Sequence, residues 1–258
     1  MNGIITLPLV PLRRSNDERS ELDSQLLFGE SVEIKETKER WLFIRNLTDN
    51  YTGWVDRKMV QILPAQEYEQ IVSAKKYIVQ VPFCSCIKTN SNERMFLPGG
   101  SIIPSGSSGK FTIGKEIYSL EFSELLLPGE ISGQKLISLA RQYLNAPYLW
   151  GGKSLMGIDC SGLVQVVFAM CGFFVQRDAS QQVDSGYVID FLSEAKAGDL
   201  AFFENQDGRI IHVGILLNSH QIIHASGWVK IETIDSQGII SAQTGEYTHR
   251  LRVVKRLI

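Results

Sequence analysis

One cysteine and its surroundings have the features that thiol chemistry requires. Cys160 follows a glycine-rich loop at residues 151–157 and opens an apolar run that stops at Gly172. This pattern predicts a buried helix whose N-cap is Asp159 or a neighbour, with Cys160 in the first turn. Free N–H groups and the helix dipole favour a thiolate there, so we expect a pKa well below the free value of about 8.5. The alternative is an ordinary buried cysteine.

Two histidines lie in apolar segments that are typical of neighbouring strands. A thiol hydrolase needs an imidazole that moves the thiol proton and a group that orients this imidazole. Cys160, His212 and His224 would supply one of each. Both histidines have even numbers, so they share a face of the sheet only if the loop is odd in length or one strand carries a bulge. His220 and His249 are assigned to surface roles.

A zinc site is a rival interpretation of the same residues. Cys160, His212, His224 and Asp159 could together hold the ion, because three or four such ligands bind zinc. No C-x-x-C or H-E-x-x-H motif supports this reading. We therefore expect neither a metal nor a cofactor. For each histidine, a satisfied core residue in an apolar strand is the other alternative.

The composition is that of an ordinary globular chain of more than one domain. It has 258 residues, 44% hydrophobic and 21% charged, with a formal net charge of −2. This balance offers no basic face for nucleic acid, and no apolar run of about 18 residues predicts a membrane span. The first residues resemble a strand more than a signal peptide, so a cytoplasmic location is expected. The periplasm or cell envelope is the alternative if a leader has been removed.

Two β-rich regions are expected before the Cys160 region. Residues 1–63 predict a small antiparallel barrel, with strands at 4–10, 31–35, 41–45, 51–55 and 59–63. Residues 64–127 predict a second β-rich domain, with strands at 77–87, 94–97, 110–113 and 117–122 and turns or a mobile loop at 98–100 and 105–109. Cys84 and Cys86 alternate within one of these strands, and we interpret them as packing residues. The boundary with the next domain is expected at residues 127–129.

Residues 128–258 change to a mixed pattern. Apolar side chains at helical spacing, with Ser132 as a possible cap, predict a first helix: Leu136, Leu139, Ala140, Tyr143 and Leu144. The Cys160 helix follows, and then strands at 200–204, 211–217, 221–225, 229–233 and 251–256. Helices followed by strands predict an α+β domain with an antiparallel sheet.

Several motifs together resemble known families. The segments 41–44 and 53–55 (WLFI and GWV) resemble the bacterial SH3-like repeat, and residues 64–127 could be a second, degenerate copy. Residues 128–258 resemble the NlpC-type, papain-like cell-wall peptidases through six ordered motifs: PYLWGG at 147–152, DCSGLV at 159–164, RDASQQ at 177–182, GDL at 198–200, HVGI at 212–215 and IHAS at 223–226. The combination most resembles gamma-D-glutamyl-L-diamino-acid endopeptidases of the dipeptidyl-peptidase VI type.

The resemblance implies a role for each member of the site. Cys160 would be the nucleophile, His212 the general base and then acid, and His224 the orienting third member. The backbone N–H of Cys160 is a candidate oxyanion donor. The Tyr148 hydroxyl would assist; its alternative is a packed aromatic in a tight loop.

The resemblance also implies a substrate, the bond between gamma-D-glutamate and a diamino acid in peptidoglycan stem peptides with a free N-terminal L-alanine. A buried ammonium needs a carboxylate, since an unpaired charge is costly to bury. Asp159 is the candidate partner, with Ser161 and Ser180 as hydrogen-bonding neighbours. Tyr51 and Trp150 are further candidates for the substrate pocket. The alternatives are a simple helix cap for Asp159 and packing for Trp150.

Two other functions are compatible with the same sequence. One is a catalytically inactive wall-binding module, against which the intact Cys160, His212 and His224 argue. The other is an amidase or acyltransferase that uses the same thiol chemistry. In each case the expected partner is a peptidoglycan-derived peptide.

Overall fold

The structure is a computed structural model that describes residues 1–106, 109–120, 125–126 and 131–258, with only the backbone of 125–126. Its contacts divide the chain into two compact units, Met1–Gly129 with Ala169–Phe174, and Glu130–Phe168 with Val175–Ile258. The expected boundary at 127–129, the end of the strand expected at 117–122 and part of the loop at 105–109 lie outside the described residues. Across the described ranges, no helix has the length and apolar character needed to span a bilayer.

The first unit begins with a seven-stranded antiparallel sheet in the order β3-β2-β6-β5-β4-β1-β7. Its strands are β1 (Asn2–Ile5), β2 (Leu9–Arg13), β3 (Leu22–Leu27), β4 (Ser31–Lys38), β5 (Trp41–Asn46), β6 (Thr52–Asp56) and β7 (Val60–Ile62). The single strand expected at 4–10 is therefore two strands, interrupted at residues 6–8, where Pro8 lacks the N–H that a ladder needs. β3 was not predicted, because its polar centre hides the apolar pattern.

The rest of the first unit is also mostly β-structure. It contains α1 (Ala65–Ser73), β8 (Lys76–Val79), β9 (Phe83–Lys88), β10 (Glu93–Pro98), β11 (Ile102–Pro104), β12 (Lys110–Ile113), β13 (Glu116–Leu120) and β14 (Leu125–Leu126). These strands form two sheets, β10-β9-β13-β12 and β11-β8-β14. The strand expected at 77–87 divides at Pro82. Cys84 and Cys86 form no disulfide and are fully buried on one face of β9, which confirms them as packing residues.

The second unit opens with helices and short strands. They are α2 (Gly133–Arg141), β15 (Lys153–Ser154), β16 (Gly157–Ile158), α3 (Cys160–Met170), α4 (Ala179–Gln182) and β17 (Tyr187–Ile189). The Ser132 hydroxyl accepts a 3.3 Å hydrogen bond from the Lys135 N–H, which confirms the predicted cap of α2. Gly172, with φ +82°, follows α3 in the left-handed conformation that commonly ends a helix.

The same unit continues with an antiparallel sheet in the order β17-β23-β18-β19-β20-β21-β22, in which β22 also pairs with β23. Six of its strands therefore close into a barrel: β18 (Leu200–Glu204), β19 (Ile210–Asn218), β20 (Gln221–Ser226), β21 (Trp228–Ile234), β22 (Gly238–Ile240) and β23 (Tyr247–Arg256). All five strands expected in this region are present. The barrel core is apolar: Ala201, Phe203, Leu216, Ile222, Ile234, Ile239 and Val254.

The register between β19 and β20 puts the two histidines on one face. Leu216 pairs with Ile222, but Asn218 pairs with Gln221, so Leu217 is an extra residue in a β-bulge. Side chains alternate along each strand, and His212 and His224 therefore share the face of Leu216 and Ile222. The bulge therefore meets the condition, derived from the sequence, that an odd loop or a bulge is needed for the two even-numbered histidines to share a face.

Candidate active site

The Asp159 carboxylate holds the start of α3 in place. One oxygen accepts the N–H of Gly162 at 2.7 Å, which confirms Asp159 as the helix N-cap, and the other accepts the N–H of Gly151 at 2.8 Å. The buried guanidinium of Arg177 donates to both oxygens, at 3.1 and 2.5 Å. The glycine loop, the helix start and Arg177 therefore meet at one carboxylate, and Cys160 is placed directly beside it.

Close backbone contacts require glycine at two positions around Cys160, one in the preceding loop and one in the first turn of α3. A Cβ added to Gly162 would lie 2.3 Å from the carbonyl oxygen of Gly152. A Cβ added to Gly152 would lie 2.4 Å from the carbonyl oxygen of Gly157. Only glycine allows the loop to approach the first turn of α3 this closely.

The Cys160 thiol is buried, with 7% of the residue exposed. Burial raises its pKa to about 11, and the Asp159 carboxylate acts in the same direction. The N–H of Val213, the Arg177 guanidinium and the N–H of Ser161 oppose this rise. The expectation of a lowered pKa is therefore wrong for the resting site, because desolvation beside a carboxylate outweighs the helix-terminus effect. The contact with the Val213 N–H also brings the sulfur to β19. Val213 directly follows His212 in the sequence.

A chain of hydrogen bonds leads from His212 to a buried carboxylate. Nε2 of His212 lies 2.9 Å from Nδ1 of His224, and Nε2 of His224 lies 2.9 Å from Oε2 of Glu232. Burial alone would raise the pKa of Glu232, but hydrogen bonds from His224 and from the Ala242 N–H lower it to about 2. The structure therefore joins the two histidines, as the sequence predicted, and adds Glu232 behind them.

The imidazoles in this cluster are held neutral. Burial lowers the pKa of His212 well below 6.5, and the charges of His249, His224 and Lys230 act in the same direction. Burial also lowers the pKa of His224, although its hydrogen bond to Glu232 opposes the shift. A neutral imidazole can act as a proton acceptor, and the Cys160 thiol contacts the N–H of the residue that follows His212.

His249 belongs to this cluster and not to the surface, so its assignment to a surface role is wrong. Its ring stacks on that of His212, with the centroids 4.2 Å apart and the planes at 29°. It lies on β23 opposite Ile239, a residue of the barrel core. Phe203 of β18 lies opposite both His212 of β19 and Leu251 of β23, so the pairing of β23 with β18 brings this strand to the site. His220 is exposed in the turn after β19, as predicted.

Tyr148 and Trp150 lie in the loop before Cys160. Burial raises the pKa of Tyr148 to about 12, and Cys160 and Asp159 contribute to the rise. Trp150 is 56% exposed. Their proposed contacts with substrate stay predictions.

The two serines occupy different environments. Ser161 is buried, and its hydroxyl accepts a 2.8 Å hydrogen bond from Arg177. Ser180 is exposed on α4, whereas Gln182 from the same helix donates to the Ser161 carbonyl at 3.1 Å. Tyr51 lies in the first unit, packed against the core of the seven-stranded sheet. Substrate binding by these residues is also still a prediction.

Three residues of this region were not recognised as members of the site: Glu232, His249 and the ion-pairing Arg177. No local pattern singles out Glu232, because Val229, Lys230, Ile231 and Glu232 alternate between apolar and polar, as in an ordinary half-exposed strand. In the part of the chain that the structure describes, no group of three or more His, Cys, Asp or Glu side chains is arranged to hold a metal ion. The zinc interpretation therefore has no ligand cluster there.

Comparisons with known proteins agree with this geometry. Residues 145–248 match the NlpC/P60 family, and residues 12–59 match the bacterial dipeptidyl-peptidase SH3 domain. The gamma-D-glutamyl-L-lysine dipeptidyl-peptidase of Bacillus subtilis is 26% identical over 83% of this chain and 77% of its own length. Dipeptidyl-peptidase 6 of Lysinibacillus sphaericus is 28% identical over 92% of this chain and 93% of its own.

A solved structure has the same fold. The crystal structure of an NlpC/P60 family protein from Bacillus cereus superposes with a TM-score of 0.84 and 18% identity, over 100% of this chain and 99% of that one. The predicted fold class is confirmed, with an SH3-like β domain ahead of an α+β papain-like domain and antiparallel sheets in both. The chain therefore carries an NlpC/P60 domain of the cysteine peptidase kind behind a bacterial dipeptidyl-peptidase SH3 domain.

Proposed function

We propose that this protein is a cysteine endopeptidase that hydrolyses the bond between gamma-D-glutamate and the diamino acid of peptidoglycan stem peptides. Its substrates would be short fragments with a free N-terminal L-alanine, as in the recycling of murein peptides. The observation that carries the proposal is the contact of the Cys160 thiol with the N–H of Val213 on β19, one residue from His212, whose ring pairs with that of His224. The name of the Bacillus subtilis relative, a gamma-D-glutamyl-L-lysine dipeptidyl-peptidase, supports the substrate class.

The chemistry follows from a thiol and an imidazole that are both neutral at rest. His212 takes the Cys160 proton while the sulfur attacks the carbonyl carbon of the scissile amide, because neither step is favourable alone. The imidazolium then gives its proton to the leaving amine as the C–N bond breaks, and a thioester remains on Cys160. A water molecule, deprotonated by His212, hydrolyses the thioester and restores the thiol.

The oxyanion and the substrate ammonium need their own partners. We assign the oxyanion to the backbone N–H of Cys160, with the Tyr148 hydroxyl as an assistant, because donors aimed at the developing charge stabilise it most. The Asp159 carboxylate is the proposed partner of the N-terminal ammonium. It already binds Arg177, so its attraction for a second cation is reduced.

The test uses synthetic L-Ala-gamma-D-Glu-L-Lys and its meso-diaminopimelate counterpart, with products identified by mass. We expect the dipeptide and the free diamino acid from the wild type, and at least a thousandfold slower release from Cys160→Ala. Cys171→Ala, which removes a buried thiol just after α3, is the matched control and should keep its activity. Unchanged hydrolysis by Cys160→Ala would disprove the proposal.

A substrate with a blocked N-terminus tests the ammonium subsite separately. The N-acetylated tripeptide should be hydrolysed poorly, because it lacks the charge that Asp159 would bind. Equal hydrolysis of the free and blocked peptides would remove the ammonium subsite and leave the thiol mechanism in place. Products other than the dipeptide and the diamino acid would indicate amidase or acyl-transfer activity.

A further inference from the structure

We propose that Glu232 is a positioning residue for hydrolysis: acting through His224, it selects the tautomer of His212 whose Nδ1 is free to accept the Cys160 proton. The proposal deepens the function proposed above and rests on it. Glu232 lies on β21, two residues before the end of a strand that pairs with β20. Its carboxylate contacts His224, Lys230 and the Ala242 N–H, so its effect on His212 passes through His224.

The Glu232 carboxylate is held in one orientation from two sides. It is buried, with 4% of the residue exposed. Oε2 faces Nε2 of His224 at 2.9 Å, while Oε1 accepts the Ala242 N–H at 3.0 Å and lies 3.3 Å from Nζ of Lys230. Across the register, Lys230 is opposite His224 and Glu232 is opposite Ile222, so the carboxylate reaches the ring along the diagonal.

Proton counting along the chain leads to one arrangement. An ionised carboxylate only accepts hydrogen bonds, so Nε2 of His224 carries the hydrogen. A neutral imidazole has one N–H, and Nδ1 of His224 is therefore an acceptor. The group 2.9 Å away, Nε2 of His212, must then be the donor. The remaining nitrogen of His212, Nδ1, is left without a hydrogen and is the base.

The charge of Glu232 also acts when the proton moves. His212 becomes an imidazolium as the thiol is deprotonated, and the carboxylate lies two hydrogen bonds away in a buried setting where charges are weakly screened. The other groups that face the pair are His249 on β23 and Lys230 on β21, and both disfavour an added positive charge. Without Glu232, the effects of His249 and Lys230 would therefore dominate, and the imidazolium would be less stable.

A purely structural role is the competing explanation. Glu232 could serve only to hold the Ala242 N–H and so shape the loop after β22. A variant that weakens that contact would then reduce stability, with no specific effect on protonation. The decisive measurements are therefore those that report the protonation of the imidazoles and the thiol.

The first measurement is made on Glu232→Gln, which keeps the shape and one acceptor oxygen but removes the charge. We expect kcat for the tripeptide to fall by about a hundredfold or more, with a much smaller change in KM. The acidic limb of the kcat profile should move to lower pH, because the pKa of the imidazole pair falls without the carboxylate. Glu204→Gln, a buried carboxylate on β18 that pairs with Arg250 and Arg252, is the matched control. Its kcat should stay within about threefold of the wild type.

The second measurement needs no substrate and no variant that must fold. In wild-type protein labelled with ¹⁵N-histidine, NMR should show Nε2–H and an unprotonated Nδ1 for both His212 and His224. A hydrogen on Nδ1 of His212 at neutral pH would overturn the proposal even if the peptide is hydrolysed.

Alkylation of Cys160 by iodoacetamide gives a third readout that is independent of hydrolysis. It should be about tenfold slower in Glu232→Gln than in the wild type, because the thiolate loses its stabilised imidazolium partner. Equal rates, with an unshifted acidic limb, would leave only the structural role. If the wild type failed to cleave the tripeptide, the proposed function would fail, while the NMR and alkylation results would still decide the role of Glu232.

Discussion

The ring of His249, which stacks on that of His212, affects the pKa of His212 and the access of water to it. Burial is the main cause of the low pKa of His212, and the charge of His249 is the next. The pKa of His249 is itself lowered to about 4, first by burial and then by His224. A neutral ring therefore covers one face of His212 at neutral pH and limits the access of water to it.

Replacing His249 with phenylalanine tests the effect of His249 on the pKa of His212. The variant keeps an aromatic ring over His212 but removes the titrating nitrogens, so the pKa of His212 should rise. Since the base must be neutral to accept the thiol proton, the acidic limb of the kcat/KM profile should move up by about one pH unit. The measurement is tripeptide hydrolysis between pH 4 and 9. A profile that coincides with that of the wild type would contradict this role of His249.

The roles of some site residues could be predicted from the sequence, whereas those of others could not. The N-cap role of Asp159 follows from local spacing, because a cap contacts the N–H groups two or three residues ahead. The pKa of Cys160 does not, because it depends on burial by distant segments. Glu232 and Arg177 were missed for the same reason: their partners, His224 and Asp159, are 8 and 18 residues away.

At the level of elements, the β19–β20 hairpin is what aligns the histidines. The sequence predicted the need for a bulge or an odd loop, because that need follows from parity alone. Which of the two would occur depended on the packing of Leu217 and its neighbours. Gly214 has a related role, since it lies opposite His224 in this register. A Cβ there would lie 2.7 Å from Cδ1 of Ile222 and 2.9 Å from Cβ of His224.

Gly214→Ala should therefore displace His224. Overpacking of this kind costs about 1–3 kcal/mol in unfolding free energy, and the shifted ring should reduce kcat by more than the loss of stability explains. Gly245→Ala is the control. Gly245 has a φ of +74° and open space around its Cβ position, so alanine there strains the backbone by about 1–2 kcal/mol without touching a histidine. Urea unfolding and tripeptide hydrolysis would be measured on both variants, and equal loss of kcat would refute the role of Gly214.

Barrel closure is the element-level feature that the sequence did not predict. β22 has three residues, too few for a periodic signal, and it connects β21 with β23. β23 also pairs with β18, and Phe203 of β18 lies opposite both Leu251 and His212. The two pairings of β23 together place His249 against His212.

On the scale of the whole molecule, the first unit shows how two predicted regions share one interior. Ile4 and Phe28 of the seven-stranded sheet belong to the same core cluster as Val79 and Tyr118. Phe28 and Tyr118 meet edge to face, with ring centroids 5.4 Å apart. The division at residue 63 stays a prediction, because periodicity identifies strands but not which strands share a core.

The buried imidazoles also make the stability of the protein depend on pH. In the unfolded chain a histidine titrates near its ordinary pKa of about 6.5, while the folded state lowers the pKa of His212, His224 and His249. Below pH 6.5 the unfolded state therefore binds more protons, and the free energy of unfolding falls as the pH falls. The slope is up to about 1.4 kcal/mol per pH unit for each imidazole that is kept fully neutral. Urea unfolding between pH 7 and 4.5 would measure it.

Comparison of two histidine variants shows whether this acid sensitivity comes from the site. His249→Phe removes one imidazole with a lowered pKa, so its unfolding free energy should fall less steeply below pH 6.5 than that of the wild type. His220→Gln changes an exposed histidine in the turn after β19 and should leave the slope unaltered. Equal slopes for the two variants would mean that His249 does not contribute to the acid sensitivity. A flatter slope for His249→Phe alone would show that keeping the His249 ring neutral costs the fold stability at acidic pH. The same exclusion of protons keeps His212 neutral and able to act as a base.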